Sequence, residues 1–317
     1  MINKKISNIF FIAVFIFFLI INVSKSYEEI KILYKIDDKI ITNFDVVNEY
    51  NYLISLNNDL KNLKESESFK IAANSIIREK IKVNELKKFV DIENFNDKNL
   101  IDKIIKNFYL KLNLNNLQSF EEYLNKFDIT LNEVKKKIKI EILWNQLIVN
   151  KFKDQININI SELKNKIQKD KMNTRDLIEY ELSEIVFQAN SPSELQTKVK
   201  EINLNINDLG FKTTANKFSI SDTAKFGGTV GKVKENQLSE KILNKIKNIE
   251  VGEYTKPIKV GNGFLILMIN NKNLIKSKLN DEEILKNMVD FETNKQLEQF
   301  SLIYFNKIKL NSQIDEL

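Results

Sequence analysis

The sequence predicts an α+β protein: a mainly helical chain that carries one turn-rich α/β domain built on a small antiparallel sheet. Three observations lead there. All seven glycines (Gly210, Gly227, Gly228, Gly231, Gly252, Gly261 and Gly263) and both prolines (Pro192 and Pro257) of the 317 residues fall between 192 and 263, and these residues punctuate tight turns and strand ends. The flanking sequence lacks both breakers and repeats its apolar residues at three- and four-residue spacing, the period of a helix. At 178–187 the period switches to two, the period of a strand. With 43% hydrophobic residues there is material for two modest cores.

The elements follow in order. Lys4 and Lys5 precede an unbroken apolar run from Ile9 to Ile21, then Ser24-Lys25-Ser26, the pattern of a secretory signal cleaved after Ser26. As a helix this run rises only ~20 Å, against a hydrocarbon core of ~30 Å, so an uncleaved membrane anchor is the lesser alternative. Ile32 to Ile41 is a short β-prone stretch, and Thr42-Asn43-Phe44-Asp45 starts a helix with an acid in its first turn. Helices are expected at about 44–62 and 68–90, the second with Phe69, Ala72, Ala73, Ile76, Ile77 and Ile81 on one stripe. Capping boxes at Ser119–Glu122 and Thr130–Glu133 begin two more, the latter carrying Val134, Ile138, Ile142 and the single tryptophan, Trp144, as a core anchor.

Inside the glycine-bearing region, Ile178, Tyr180, Leu182, Glu184 and Val186 share one face of a strand. Ser191-Pro192-Ser193-Glu194 supplies an N-cap, a first-turn proline and an acid, so a helix starts there. Residues 211–233 read as a loop holding the Gly-Gly pair, 237–248 as a helix, and Gly263 to Asn270 as an apolar strand. A charged helix with Ile284, Leu285, Met288, Phe291, Leu297 and Phe300 covers 281–306, and Lys307 to Ile314 closes as a short strand.

Composition removes much chemistry. With no cysteine and no histidine, disulfides, zinc bound through Cys or His, imidazole-served nucleophiles and haem attachment through cysteine are excluded, as is lipid acylation. The export signal without disulfides leaves packing to hold the mature protein together. The net charge of +6 includes Lys4, Lys5 and Lys25; the remainder carries 46 bases against 43 acids, spread without a phosphate-tracking run, so no nucleic-acid partner is expected. Gly227-Gly228-Thr229-Val230-Gly231-Lys232 lacks the outer glycine and hydroxyl of a P-loop, having Phe226 and Val233 there, so no nucleotide is expected. Asp222-Thr223-Ala224 has no second copy to share a proton, and Glu179 and Glu181 have no clustered partners for a metal. No cofactor and no metal is expected.

Four blocks in order carry a family signature: Glu181-Leu182-Ser183-Glu184-Ile185-Val186; Phe218 through Gly231 with its Ser219-Ile220-Ser221-Asp222 and Phe226-Gly227-Gly228; Val251-Gly252-Glu253 with Lys256-Pro257-Ile258; and Gly263-Phe264-Leu265-Ile266-Leu267. Residues 178–272 resemble the parvulin, or rotamase, domain of peptidyl-prolyl isomerases. The whole arrangement resembles periplasmic chaperones of the SurA type. The resemblance implies a signal peptide at 1–26, a helical amino-terminal chaperone module at 27–175, a parvulin-like domain at 176–272, and a carboxyl-terminal helix and closing segment at 273–317 packing on the amino-terminal module.

Active parvulins are known for a histidine in the first strand, an Asp or Cys in the Ser-rich loop and a histidine in the last strand. The matching positions here are Glu184, Ser221 and Leu265, so no catalytic residue is carried over intact. The prolyl pocket maps to Val233, Leu238, Ile242 and Phe264. Leu265 neither donates nor accepts a hydrogen bond, and an ionised Glu184 only accepts; a Glu184 kept protonated by burial and bonded to Ser221 would preserve the shape of the site more than its activity. The expected function is an ATP-independent periplasmic holdase for unfolded outer-membrane or exported polypeptides, touching the membrane only transiently through its signal, with weak or no isomerase activity. The alternatives are an isomerase with a variant site and a membrane-anchored folding factor of the PpiD type.

Overall fold

The computed structural model describes residues 29–172, 177–261, 263–275 and 281–317; the signal at 1–26 lies outside them. β1 (Ile32–Ile36) and β2 (Lys39–Thr42) form a hairpin, and β7 (Ile314–Glu316) pairs antiparallel with the other edge of β1, giving the order β2-β1-β7. Asp37 turns the hairpin in the left-handed region (φ +53°), where its carboxylate accepts from the Gln313 N–H at 3.0 Å. The short β-prone stretch near the start of the chain thus finds its partner near residue 315.

Five helices follow: α1 (Asn43–Leu56), α2 (Glu65–Leu86), α3 (Lys98–Lys111), α4 (Leu117–Asn125) and α5 (Leu131–Phe152). Thr42 and Asp45 cap α1 reciprocally, as Thr130 and Glu133 cap α5. The expected cap at Ser119 is corrected to Asn116, whose side chain accepts from the Ser119 N–H at 2.9 Å. Asn is as good an N-cap as Ser, and the earlier start adds Leu117 and Gln118 ahead of the buried pair Phe120 and Leu124, which share one face at i, i+4. α3, capped by Asp97, fills a stretch for which the sequence predicts no element.

These helices enclose one core around Ile36, Leu53, Ile81, Leu86, Phe120 and Trp144. The long helix α9 (Asp281–Asn311) enters it through Phe305, Leu297, Phe300 and Tyr304. Trp144 is fully buried, donates from Nε1 to Ser301 Oγ at 2.8 Å and packs against the rings of Tyr304 and Phe305. A buried indole N–H without an acceptor would cost ~1–3 kcal/mol, and Ser301 supplies the acceptor.

After α6 (Ile160–Met172) the chain builds a four-stranded antiparallel sheet in the order β4-β3-β6-β5, from β3 (Leu177–Phe187), β4 (Thr229–Lys234), β5 (Ile258–Val260) and β6 (Gly263–Ile275). β6 runs five residues beyond the expected Asn270 because it stays paired to the start of β3, from Asn271 opposite Glu181 to Ile275 opposite Leu177. α7 (Pro192–Phe218) bends at Gly210 (φ +79°) and continues, so the segment expected to be loop from 211 is helical to Phe218, with Phe211 and Ala215 buried. The remainder of that segment is a short 3₁₀ turn at Asp222–Phe226 followed by β4. α8 (Glu240–Ile246) is shorter than expected because Ser239 caps it. α9 extends to Asn311, which delays the closing strand to Ile314.

Alternation along β3 gives the sheet two faces. One carries Tyr180, Leu182, Val233, Ile258, Leu265, Leu267 and Ile269, with Leu238 packed on them; on the other, Ile185, Phe187 and Ile266 pack against Ile202, Phe211 and Ala215 of α7.

Candidate functional site

Glu184 lies at the middle of β3 with its side chain on the Tyr180–Leu182 face. Its backbone is held by the glycine pair. The Glu184 N–H donates to Gly228 O at 2.8 Å, and the Gly228 N–H donates to Thr223 O at 2.9 Å. Gly227 and Gly228 both have positive φ (+64° and +74°), and a Cβ on Gly228 would stand 2.2 Å from Glu184 O. Only glycine fits that approach. The pair that superficially suggests a phosphate loop is a backbone clasp on the central strand.

The Ser-rich segment is tied to the same strand. Ile220 N–H donates to Val186 O at 2.8 Å, and Ser219 Oγ accepts from Val186 N–H at 3.0 Å. This docking aims two hydroxyls at one carboxyl oxygen: Ser221 Oγ and Thr223 Oγ1 donate to Glu184 Oε1 at 2.7 and 2.9 Å. Burial pushes the Glu184 carboxyl above its ordinary pKa; the Ser221 and Thr223 bonds oppose that, and the nearby Asp222 charge adds to it. Leu265, opposite Val186 on β6, is one diagonal step from Glu184, which faces Leu267. Glu184, Ser221 and Leu265 therefore come together on one sheet face, and Leu265 is only 7% exposed.

Of the apolar quartet, Val233 and Leu238 are buried in the same cluster as Leu265, and Ile242 packs against it from α8. Phe264 is corrected. It lies on the opposite face, its ring stacked on Phe187 at 5.7 Å and packed among Ile185 and Ile266. Adjacent residues of a strand point to opposite faces, so Phe264 and Leu265 cannot line one hollow.

Sequence reasoning missed Thr223, the second donor to Glu184, and everything that joins this loop to the helices. Asp222 Oδ1 accepts from Lys82 Nζ at 2.8 Å and from Arg78 Nη2 at 3.4 Å, and Arg78 also donates to Ile220 O at 3.1 Å. Glu141 on α5 takes both Lys82 (2.9 Å) and Lys225 (2.7 Å), and these cations hold its carboxyl well below the usual range against the opposing cost of burial. A cleft of about 240 Å³ runs between α1, α2 and α5 and the loop, lined by these charges. Asp222 lies 140 and 144 residues from Lys82 and Arg78, and no local signal links them. Among the described residues no cluster of three or more acidic side chains is placed to hold a metal, and no helix is long and apolar enough to cross a membrane.

A sheet of this order, clasped by paired glycines and flanked by a Ser-rich loop and a short helix, defines a rotamase-type domain. Residues 183–271 match the family model "Rotamase: PPIC-type PPIASE domain". Similarity to curated proteins extends beyond that domain. The chain is 24% identical over 215 residues to chaperone SurA of Pseudomonas putida, covering 63% of this chain and 50% of the relative. It is 21% identical over 212 residues to chaperone SurA of Pseudomonas aeruginosa, covering 63% and 51%. The chain thus spans about half the length of the curated relatives it matches. Among solved structures it is similar to a chain from a study of two SurA-like chaperones of Campylobacter jejuni (15% identity, 90% of this chain and 98% of that one, TM-score 0.35). It is also similar to a PpiC-type isomerase domain (24% identity, 31% and 94%, TM-score 0.29).

Proposed function

We propose that this protein is an ATP-independent holdase of the periplasm that binds unfolded outer-membrane or exported polypeptides, and that its rotamase domain isomerises prolyl bonds weakly or not at all. The observation that carries the second part is the Glu184 carboxyl, occupied by two hydroxyls and set beside the aliphatic Leu265. Prolyl isomerisation must cross a barrier of ~18–20 kcal/mol, and catalysis requires preorganised hydrogen-bonding groups around the twisted amide. Leu265 offers none, and the chain contains no imidazole. Holding an unfolded chain needs only apolar burial, worth ~25 cal/mol per Å², which tolerates many sequences and releases without nucleotide. In this reading the segments 27–175 and 273–317 form the chaperone module, 176–272 is the rotamase-like domain, and 1–26 is the export signal. Val233, Leu238 and Ile242 grip apolar side chains. No cofactor, nucleotide or nucleic acid takes part.

A second reading, an isomerase with a variant site, has one observation in its favour: burial raises the Glu184 pKa, and a carboxyl that takes up a proton gains a donor. Two assays separate the readings. A protease-coupled assay on an X-Pro peptide is expected to give turnover near background, while the same preparation suppresses aggregation of an unfolded porin. Turnover equal to that of an active parvulin would establish the variant-site reading, and failure to protect the porin would overturn the holdase.

A further inference from the structure

The cleft between α1, α2, α5 and the Ser-rich loop is lined by charges of both signs, and its ion pairs leave cations over. Every acid on its wall already has a partner. Lys137 serves Glu49 and Glu79, Lys82 and Lys225 serve Glu141, and Lys82 with Arg78 serves Asp222. Lys217, also on the wall, pairs with Glu67 outside it. Lys309 of α9 lines the same cleft, is exposed, and makes no ion pair or hydrogen bond among the described residues.

Arg78 is only partly used. Its Nη2 makes both of its bonds, to Ile220 O at 3.1 Å and to Asp222 Oδ1 at 3.4 Å, the latter longer than the ~2.7–2.9 Å of a strong charge-assisted bond. Asp222 is served chiefly by Lys82, at 2.8 Å. Nε and Nη1 of Arg78 have no partner among the described residues. The guanidinium lies over the Phe305 ring at 4.4 Å, and Lys309 follows Phe305 by one turn on the same side of α9. A stacked guanidinium with a free edge, next to an unpaired ammonium, suits a planar oxyanion. An independent group on the same wall also lacks a partner: Tyr52 is only 3% exposed, and its hydroxyl makes no hydrogen bond among the described residues. A buried phenol ordinarily has one.

We propose that Arg78 and Lys309 form a seat for a carboxylate of the bound polypeptide at the exposed edge of this cleft, with the Tyr52 hydroxyl left to bond the segment that enters behind it. The inference rests on the reading that the protein holds unfolded polypeptide, and it adds a charge preference to the apolar grip. The carboxylate belongs to an acidic side chain or to a chain end, which present the same pair of oxygens.

The test uses the full chain, isothermal titration calorimetry and three peptides: acetyl-Ser-Phe-Asn-Asp-Ser-Phe-Ser-amide, the same peptide with Asn for Asp, and that Asn peptide with a free carboxyl end. Wild type should bind one or both carboxylate peptides about tenfold tighter than the neutral one. A gain for the Asp peptide marks a side-chain source, and a gain for the free acid marks a chain end. K309Q alters an exposed, unpaired side chain and should cut the preference to about threefold while leaving the neutral peptide unchanged. R78K keeps a cation for Asp222, loses the planar fork and should cut it similarly. K307Q, at an exposed lysine of the same helix that does not line the cleft, should change nothing. Equal affinities for the three peptides, no measurable binding of any, a preference that survives both K309Q and R78K, an equal loss in K307Q, or tighter binding of inorganic phosphate than of either carboxylate would overturn the seat. Porin protection without a carboxylate preference would sink only the seat, whereas loss of porin protection by the wild type would sink the holdase itself.

Discussion

With no histidine in the chain, stability between pH 5 and 8 is free of the side chain that usually titrates there, and it should report the carboxyls around Glu184. Burial raises the Glu184 pKa, and Asp222 adds to the effect. Desolvation, then the charges of Glu184 and Asp222, push Glu298 up to about 7, although the residue is exposed on the surface. The cations facing this group, Arg78 and Lys82, are already bonded to Asp222. Both acids bind their proton more tightly folded than unfolded, so the native state holds more protons above the ordinary glutamate value. Stability is then complete at acid pH and falls as pH rises toward 7. At ~1.4 kcal/mol per unit, the Glu298 rise has an upper limit of ~3 kcal/mol, which solvent exposure reduces to about 1 kcal/mol. The acids held low by cations, Glu141, Glu85 and Glu67, lose their contributions below pH 5 and do not intrude. Urea unfolding followed by Trp144 fluorescence should therefore show wild type about 1 kcal/mol or more less stable at pH 8 than at pH 5. E184Q, which keeps an oxygen for Ser221 and Thr223, and E298Q should each flatten that slope. The double variant should do so less than additively, because the Glu184 charge is one cause of the Glu298 rise. A wild-type stability that is flat or rises over this window, or a slope that neither substitution changes, would refute the reasoning.

Other outcomes follow from single contacts. G228A forces a Cβ to 2.2 Å from Glu184 O at φ +74° and should cost about 3 kcal/mol in denaturant unfolding, whereas G231A, with open space around it, should cost about 1–2 kcal/mol of backbone strain. K82M removes a 3%-exposed ammonium shared by Glu141 and Asp222; with both acids keeping a second cation and some solvent, about 2–3 kcal/mol should be lost, and D222N in the same chain should recover part of it. W144F loses the bond to Ser301 and some ring volume, and should lower stability by about 2 kcal/mol in thermal melts followed by circular dichroism.

The rotamase-type region was the most legible part of the chain, because its signals are local. Glycine at 227 and 228, the serine cap at 191 and the alternation from Ile178 to Val186 each describe neighbours in sequence. The helix from 211 to 218 was misread because Gly210 looks like an end and acts as a bend, with buried Phe211 and Ala215 holding the helix beyond it. Phe264 was placed with Leu265 by motif, when strand alternation alone separates them.

The sequence by itself determined the α+β class, the caps at Thr42, Thr130 and Ser191, the burial of Trp144 and the replacement of the relatives' polar site positions by Glu184, Ser221 and Leu265. Tertiary structure alone decided that Thr223 joins Ser221 on Glu184, that Arg78 and Lys82 reach across 144 and 140 residues to Asp222, and that Phe291 packs against the apolar cluster of the sheet. Periodicity and capping are encoded within a few residues, where backbone geometry fixes which neighbours meet. Which distant side chain meets another depends on how helices and sheet pack once their apolar faces are buried, and no local pattern records it.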